Sequence, residues 1–229
     1  MTTPRKVLLV NGSPRGRESV SQTLVDFLNK KLTALSVETE MLHVISPVHP
    51  KEKVERFHQM MDSADSVVLV FPLYVDHIPS GLMKFLEDFS LYRKSHPSVK
   101  TQSLMAVVNS GFPEASQNDN AVAVCRRFAE SEEFDWLGGL TLGGGGVVPA
   151  GSDLEKAGGR VFKITKALEA AALCLADAQN EPLPESVLME IRKPLFPHWF
   201  YRFMADWGFK SNARKNGVSR QMKARPYSV

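Results

Sequence analysis

The sequence predicts an α/β fold, a doubly wound five-stranded parallel sheet with a C-terminal helical extension. Two observations carry this. Short runs rich in valine and leucine alternate five times with stretches whose apolar residues recur at helical spacing, which requires parallel pairing, right-handed crossovers and helices on both faces. The 229 residues, 43% hydrophobic and 23% charged, also supply enough apolar material for one sizeable core.

Lys6 to Asn11 (KVLLVN) is short, apolar and closed by Gly-Ser-Pro, as in a strand buried on both faces, and is expected to be central. From Ser19, a suitable N-cap, residues Val20, Leu24, Phe27, Leu28 and Leu32 share one helical face. Val37 to Val44 (VETEMLHV) roughly alternates as a second strand, and after the Pro47 to Pro50 punctuation Lys51 to Asp62 is amphipathic. Ser66 to Phe71 (SVVLVF) and Pro79 to Phe89 form the next strand and helix, and Ser103 to Asn109 (SLMAVVN) with Asn118 to Phe128 repeats the unit. Asp135 to Leu142 is the last strand, followed by the glycines Gly143 to Gly146 and one long alanine-rich helix from about Asp153 to Asp177. Glu181 to Pro184 reads as a linker. Phe196 to Trp207 then places Phe196, Trp199, Phe200, Phe203, Met204 and Trp207 close to one helical stripe. The expected division is an α/β domain over residues 1–180 and an extension over 181–229, packed on that domain or on a partner subunit.

The formal charge of +3 is uneven. Lys210, Arg214, Lys215, Arg220, Lys223 and Arg225 fall in the last twenty residues, which hold no acid. A solvated tail is the expected reading, with a phosphate-bearing substrate, an anionic membrane surface or nucleic acid as alternatives. The aromatic stripe is read as packing on the core or a second subunit, with interfacial binding the lesser alternative. The early apolar run Val7 to Val10 is too short for a signal-peptide core or a membrane span, so a cytoplasmic protein is expected. Cys125 and Cys174 lack CxxC spacing and make no four-cysteine site, so electrons, if carried, need another cofactor.

In an open parallel sheet, ligands sit beyond the carboxyl ends of the strands at the topological switch point. After the first strand comes Asn11-Gly-Ser-Pro-Arg-Gly-Arg-Glu-Ser-Val-Ser. Its backbone N–H groups, the hydroxyls of Ser13, Ser19 and Ser21, the Arg15 guanidinium and a helix N-terminus suit a phosphate monoester. The loop is neither GxGxxG nor Walker A, so a single terminal phosphate fits it better than a pyrophosphate, which points to a mononucleotide such as FMN. After the third strand, Pro72, Leu73, Tyr74 and Val75 lie in a loop pinned by prolines, and after the fourth come Asn109, Ser110, Gly111 and Phe112. Together they offer an apolar face and in-plane polar groups for a flat ring. His77, in the same loop as Tyr74, reads as a solvated histidine. The glycine cluster either lets a planar ligand approach the backbone or forms a flexible loop.

GSPRG followed by S-x-S, PLYVD before a proline-initiated helix, and NSGFPE after the fourth strand resemble the NAD(P)H-dependent FMN reductase group of the flavodoxin-like superfamily, over roughly Lys6 to Asp177. The resemblance implies a flavodoxin-like fold, FMN as cofactor and NAD(P)H as co-substrate. Hydride would pass to the flavin and on to a small acceptor such as a quinone, a flavin or a nitro compound. By position, Ser13, Arg15, Ser19 and Ser21 inherit the phosphate, and Pro72 to Val75 with Asn109 to Phe112 inherit the ring. Val20 stands where relatives often have asparagine, so its backbone N–H would replace that contact. The flavin carries the chemistry and no catalytic side chain is expected. A homo-oligomer, dimer or tetramer, is expected, with no nucleic-acid partner and no metal. The rivals are a flavodoxin-type electron carrier, which usually presents an acidic surface where this chain is net basic, and a flavin-free binding module on the same fold.

Overall fold

The computed structural model describes residues 5–224. The chain divides into two compact units, Met1–Leu195 and Phe196–Val229.

The first unit holds five parallel strands, β1 (Lys6–Asn11), β2 (Glu38–His43), β3 (Ser66–Pro72), β4 (Gln102–Asn109) and β5 (Phe134–Leu142), in the order β2-β1-β3-β4-β5. This is the expected doubly wound sheet of the flavodoxin-like fold. The helices are α1 (Val20–Ala34), α2 (Lys51–Ser63), α3 (Ser80–Arg93), α4 (Asp119–Ser131), α5 (Phe162–Ala176) and α6 (Glu185–Arg192). The strand period of two divides the apolar side chains between two cores. Val7, Leu9, Val68, Val70, Met105 and Val107 bury against α1 and α5. Leu8, Val10, Val67, Leu69, Phe71, Leu104 and Val108 bury against α2, α3 and α4. Because β1, β3 and β4 are covered on both faces, their sequences are continuous apolar runs.

One expectation fails and one element was not foreseen. The long helix over Asp153 to Asp177 is broken: a 3-10 segment, Leu154–Val161, precedes α5, with Gly158 at φ 68° and ψ −157° inside it. A left-handed glycine interrupts the helical ladder, and Asp153 starts the short segment by accepting from the Glu155 N–H. The unforeseen element is α6, which sequence periodicity does not reveal. It begins after Pro184 and is only eight residues long, with Ile191 as its buried residue. Leu183, just before it, donates its N–H to Leu137 O of β5 at 2.8 Å and is itself buried. The first unit therefore continues to Leu195, past the expected boundary at residue 180.

In the second unit, α7 (His198–Lys215) runs eight residues beyond the expected end at Trp207 and is followed by a 3-10 turn, Ser219–Gln221. Val218 N–H donates to Ala213 O at 2.9 Å and closes the end of the helix. Among the described residues no helix is long and apolar enough to cross a membrane.

A chain ending after Asn180 is expected to lose about 4 kcal/mol or more, because the buried side chains of Leu183 and Ile191 leave the core. A chain ending after Leu195 keeps both. Thermal or urea unfolding of the two truncations checks this; equal stability would contradict the placement of α6.

Candidate functional site

Beyond β1 and β3, which are neighbours, the chain turns to opposite faces of the sheet, α1 joining one core and α3 the other. The carboxyl ends of these strands open the crevice in which such sheets bind ligands.

The first loop is organised by Asn11, the buried last residue of β1. Its Oδ1 accepts the Ser13 N–H at 2.9 Å, while Nδ2 donates to Gly16 O at 3.1 Å and to Gln22 Oε1 at 2.8 Å. Gly16 takes φ +54° and returns its N–H to Ser13 O at 2.9 Å. A Cβ on Gly12 would lie 2.6 Å from Leu82 Cδ2 of α3, so the Leu82 side chain would have to shift to admit one. Ser19 is the N-cap of α1, accepting the Gln22 N–H at 3.1 Å and donating to Gly16 O at 2.6 Å. That leaves the Val20 and Ser21 N–H groups in the first turn with no backbone partner among the described residues, as helix starts require. The side chain of Val20 packs against the core, so only its backbone is free to meet a ligand. Ser13, Ser19 and Ser21 are buried, and Arg15 and Arg17 are exposed.

The loops after β3 and β4 are tied together. Leu73 N–H donates to Asn109 O at 2.8 Å, and Asn109 Nδ2 donates to Phe71 O and to Ser21 Oγ, each at 3.1 Å. Tyr74 and His77 exchange backbone hydrogen bonds of 3.0 and 3.1 Å across Val75 and Asp76 at φ 50° and 57°. Two consecutive left-handed residues are the signature of a type I′ turn, which favours Asn-Gly over a β-branched residue. Asn120 Nδ2 holds the turn through Asp76 O at 3.1 Å. His77 is thus a half-buried turn residue. Tyr74, Val75 and Phe112 expose apolar surface (43%, 97% and 53%), whereas Asn109 and Ser110 are buried.

Three of the four clustered glycines serve backbone packing. A Cβ on Gly143 would lie 2.4 Å from Pro113 O, Gly144 takes φ 69°, and Gly145 donates its N–H to Ser110 O at 2.7 Å. Gly144 also donates to Phe112 O at 2.6 Å, so the cluster buttresses the loop after β4. Gly146 alone is exposed with open space beside it.

The sequence-predicted residues therefore form two adjoining groups, joined by the Asn109–Ser21 hydrogen bond. Sequence reasoning missed Asn11, Gln22, His43 and Asn118. Gln22 Oε1 also meets His43 Nε2 at 2.7 Å, and Gln22 Nε2 donates to Asp26 Oδ1 at 2.7 Å. Asn118 Nδ2 donates to Ser110 Oγ at 3.4 Å and to Leu142 O at 3.3 Å, while its Oδ1 has no partner among the described residues. Asparagine at the last position of β1 was the one available signal. The other three act on residues distant in sequence. A groove of about 630 Å³ between α3 and α4 takes no lining residue from these loops, so donor chemistry, not cavity size, marks the site.

That donor set fits a phosphorylated flavin. Unpaired N–H groups at the start of α1, with serine hydroxyls and an exposed arginine, Arg15, in the same loop, suit a phosphate, and the exposed apolar loop tips suit a flat ring.

Residues 5–128 match the NADPH-dependent FMN reductase family, and the chain belongs to it. It is an NAD(P)H-dependent flavin oxidoreductase with FMN as cofactor and NAD(P)H as co-substrate. No curated protein sequence matches the chain. Among solved structures, it is similar to an FMN-dependent NADH-azoreductase from Bacillus anthracis in complex with FMN, with 16% identity, TM-score 0.56, and 76% of this chain and 100% of that one covered. An NAD(P)H:quinone oxidoreductase from Methanothermobacter marburgensis shares 13% identity over 76% of this chain and 98% of its own, at TM-score 0.54. A flavodoxin from Streptococcus pneumoniae shares 16% over 75% and 97%, at 0.50. These likenesses establish the fold.

Charge does not separate reductase from carrier as the sequence suggested. The first unit carries 21 Lys or Arg against 24 Asp or Glu, and the positive excess lies wholly in the second unit. The family match makes the distinction. Both cysteines are poor thiolate sources, burial pushing Cys125 up to about 12 and Cys174 to about 11.

Two outcomes are expected. Gly143→Ala should cost about 1–3 kcal/mol of stability, since its Cβ meets a backbone carbonyl that cannot rotate away; a wild-type denaturation midpoint would contradict this. Burial first, and then Arg17, lowers the pKa of His43 below 6.5. The folded state thus resists this proton, and its stabilising contribution, full above about pH 6.5, is lost as pH falls. An NMR titration should place the His43 midpoint below 6.5 and see it rise in Arg17→Ala, whereas a midpoint at or above 6.5 would overturn the assignment.

Proposed function

We propose that this chain is a cytoplasmic, homo-oligomeric reductase that holds FMN across its first, third and fourth strand loops and delivers electrons from NAD(P)H to a small diffusible acceptor such as a quinone, a flavin or a nitro compound. The observation that carries it is the junction at Asn109, where one amide bonds both the start of α1 and the end of β3 and so sets a phosphate-type donor cluster beside an apolar loop edge.

The Val20 and Ser21 N–H groups, the Ser13 and Ser21 hydroxyls and the Arg15 guanidinium would hold the phosphate. Ser19 orders that group as the N-cap, because its hydroxyl is already engaged by Gly16 O and the Gln22 N–H. Pro72, Leu73, Tyr74 and Val75 would form one edge of the ring site, and Asn109, Ser110, Gly111 and Phe112 the other. FMN, when bound, supplies the hydride-accepting and electron-donating chemistry, so the residues need only bind, orient and exclude water. Fixed backbone N–H groups are suited to stabilising charge without reorganising. The likeness to an azoreductase and to a quinone oxidoreductase supports a small acceptor.

Arg15→Ala tests the phosphate assignment. It is expected to weaken FMN binding about 10- to 100-fold, the size of a lost charge-assisted hydrogen bond, and to leave riboflavin binding almost unchanged. Parallel losses for both ligands, or none for either, would make Arg15 a turn residue only.

A further inference from the structure

The second unit presents a feature that the flavin site does not use. Trp199, Phe203 and Trp207 follow one another at four-residue spacing on α7 and so line one face. They are 72%, 64% and 65% exposed, and Phe200 and the exposed Met204 lie beside them. Trp199 and Phe200 meet edge to face at 5.7 Å. The same line continues into Lys210 and Arg214, and Lys215 ends the helix, so the helix is aromatic in its first half and cationic in its last turns. Phe209 lies off this line. From Phe196 to Val229 there are seven Lys or Arg and a single acid, Asp206, which is paired with Lys210.

We propose that this unit docks on an anionic lipid bilayer, with the Trp199–Phe203–Trp207 face of α7 in the interfacial region and the cations of the last turns and the following segment on the headgroups. Tryptophan rings, apolar in body and polar at N–H, favour the boundary between hydrocarbon and water. Long basic side chains keep their charge in the headgroup layer while their stems lie on apolar surface, and each cation adds attraction to anionic lipid. The charge balance disfavours the same face of a second copy as the occupant, because it would set two strongly positive units face to face. Single-stranded nucleic acid needs aromatic platforms within a cationic groove, whereas here the rings and the cations occupy successive stretches of one helix.

The test uses the full FMN-loaded chain with vesicles of phosphatidylcholine alone and of phosphatidylcholine with phosphatidylserine in a roughly 7:3 ratio. Expected are co-sedimentation with the anionic vesicles at least about tenfold stronger than with the neutral ones, weakening as salt rises, and quenching of tryptophan fluorescence by lipids brominated near the headgroup. Trp199→Ser, Phe203→Ser and Trp207→Ser combined should abolish sedimentation and leave the flavin content unchanged. Should the triple variant not fold, the brominated-lipid quenching of the wild type decides alone. Absence of vesicle binding would overturn the proposal, as would binding that the triple variant retains in full. Dimers that the triple variant dissociates, without vesicle binding, would assign the face to a second copy. Capture of a single-stranded oligonucleotide in place of vesicles would assign it to nucleic acid.

Discussion

One buried amide fixes the geometry on which the site depends. Asn109 ends β4, and its Nδ2 reaches both Phe71 O, at the end of β3, and Ser21 Oγ, in the first turn of α1. Three elements from distant parts of the chain are thereby held at one separation. Replacing the side chain by an apolar one would leave two buried acceptors short of a donor, a cost comparable to the whole net worth of such bonds. Asn11 plays the matching part within the first loop, bonding Ser13, Gly16 and Gln22. Both amides sit at strand ends, where the sheet's own ladder stops and side chains must continue its order into the loops.

How much of this was legible in the sequence follows from burial. Strands β1, β3 and β4 were readable almost to the residue because cover on both faces forces a continuous apolar run. The edge strand β2 is partly exposed except at Leu42 and showed only a rough alternation. The break before α5 was written in Gly158 and Gly159 but masked by the alanine-rich helix that follows. Helix α6 was illegible because eight residues with one buried side chain carry too little periodicity, and its existence depends on the pairing of Leu183 with Leu137.

The site divides in the same way. Local chemistry, such as Ser19 as an N-cap or glycines after a strand, can be read from neighbours in sequence. Gln22 with His43, Asn118 with Leu142 and Gly143 against Pro113 are tertiary contacts, and no single-sequence pattern announces them. The Val75–Asp76 turn is a different case: the residues were visible, but their left-handed conformations run against local preference. A local rule broken beside a proposed ligand edge is where strain is expected in a binding protein.

The site as proposed holds a flavin that NAD(P)H reduces. Anaerobic addition of NADPH, and separately of NADH, to the FMN-loaded protein measures it most directly, through the visible absorbance of the flavin. Stoichiometric bleaching by at least one nicotinamide, reversed on adding a quinone, is the expected result. A protein that takes up no FMN, or whose bound FMN neither nicotinamide can bleach, would contradict it.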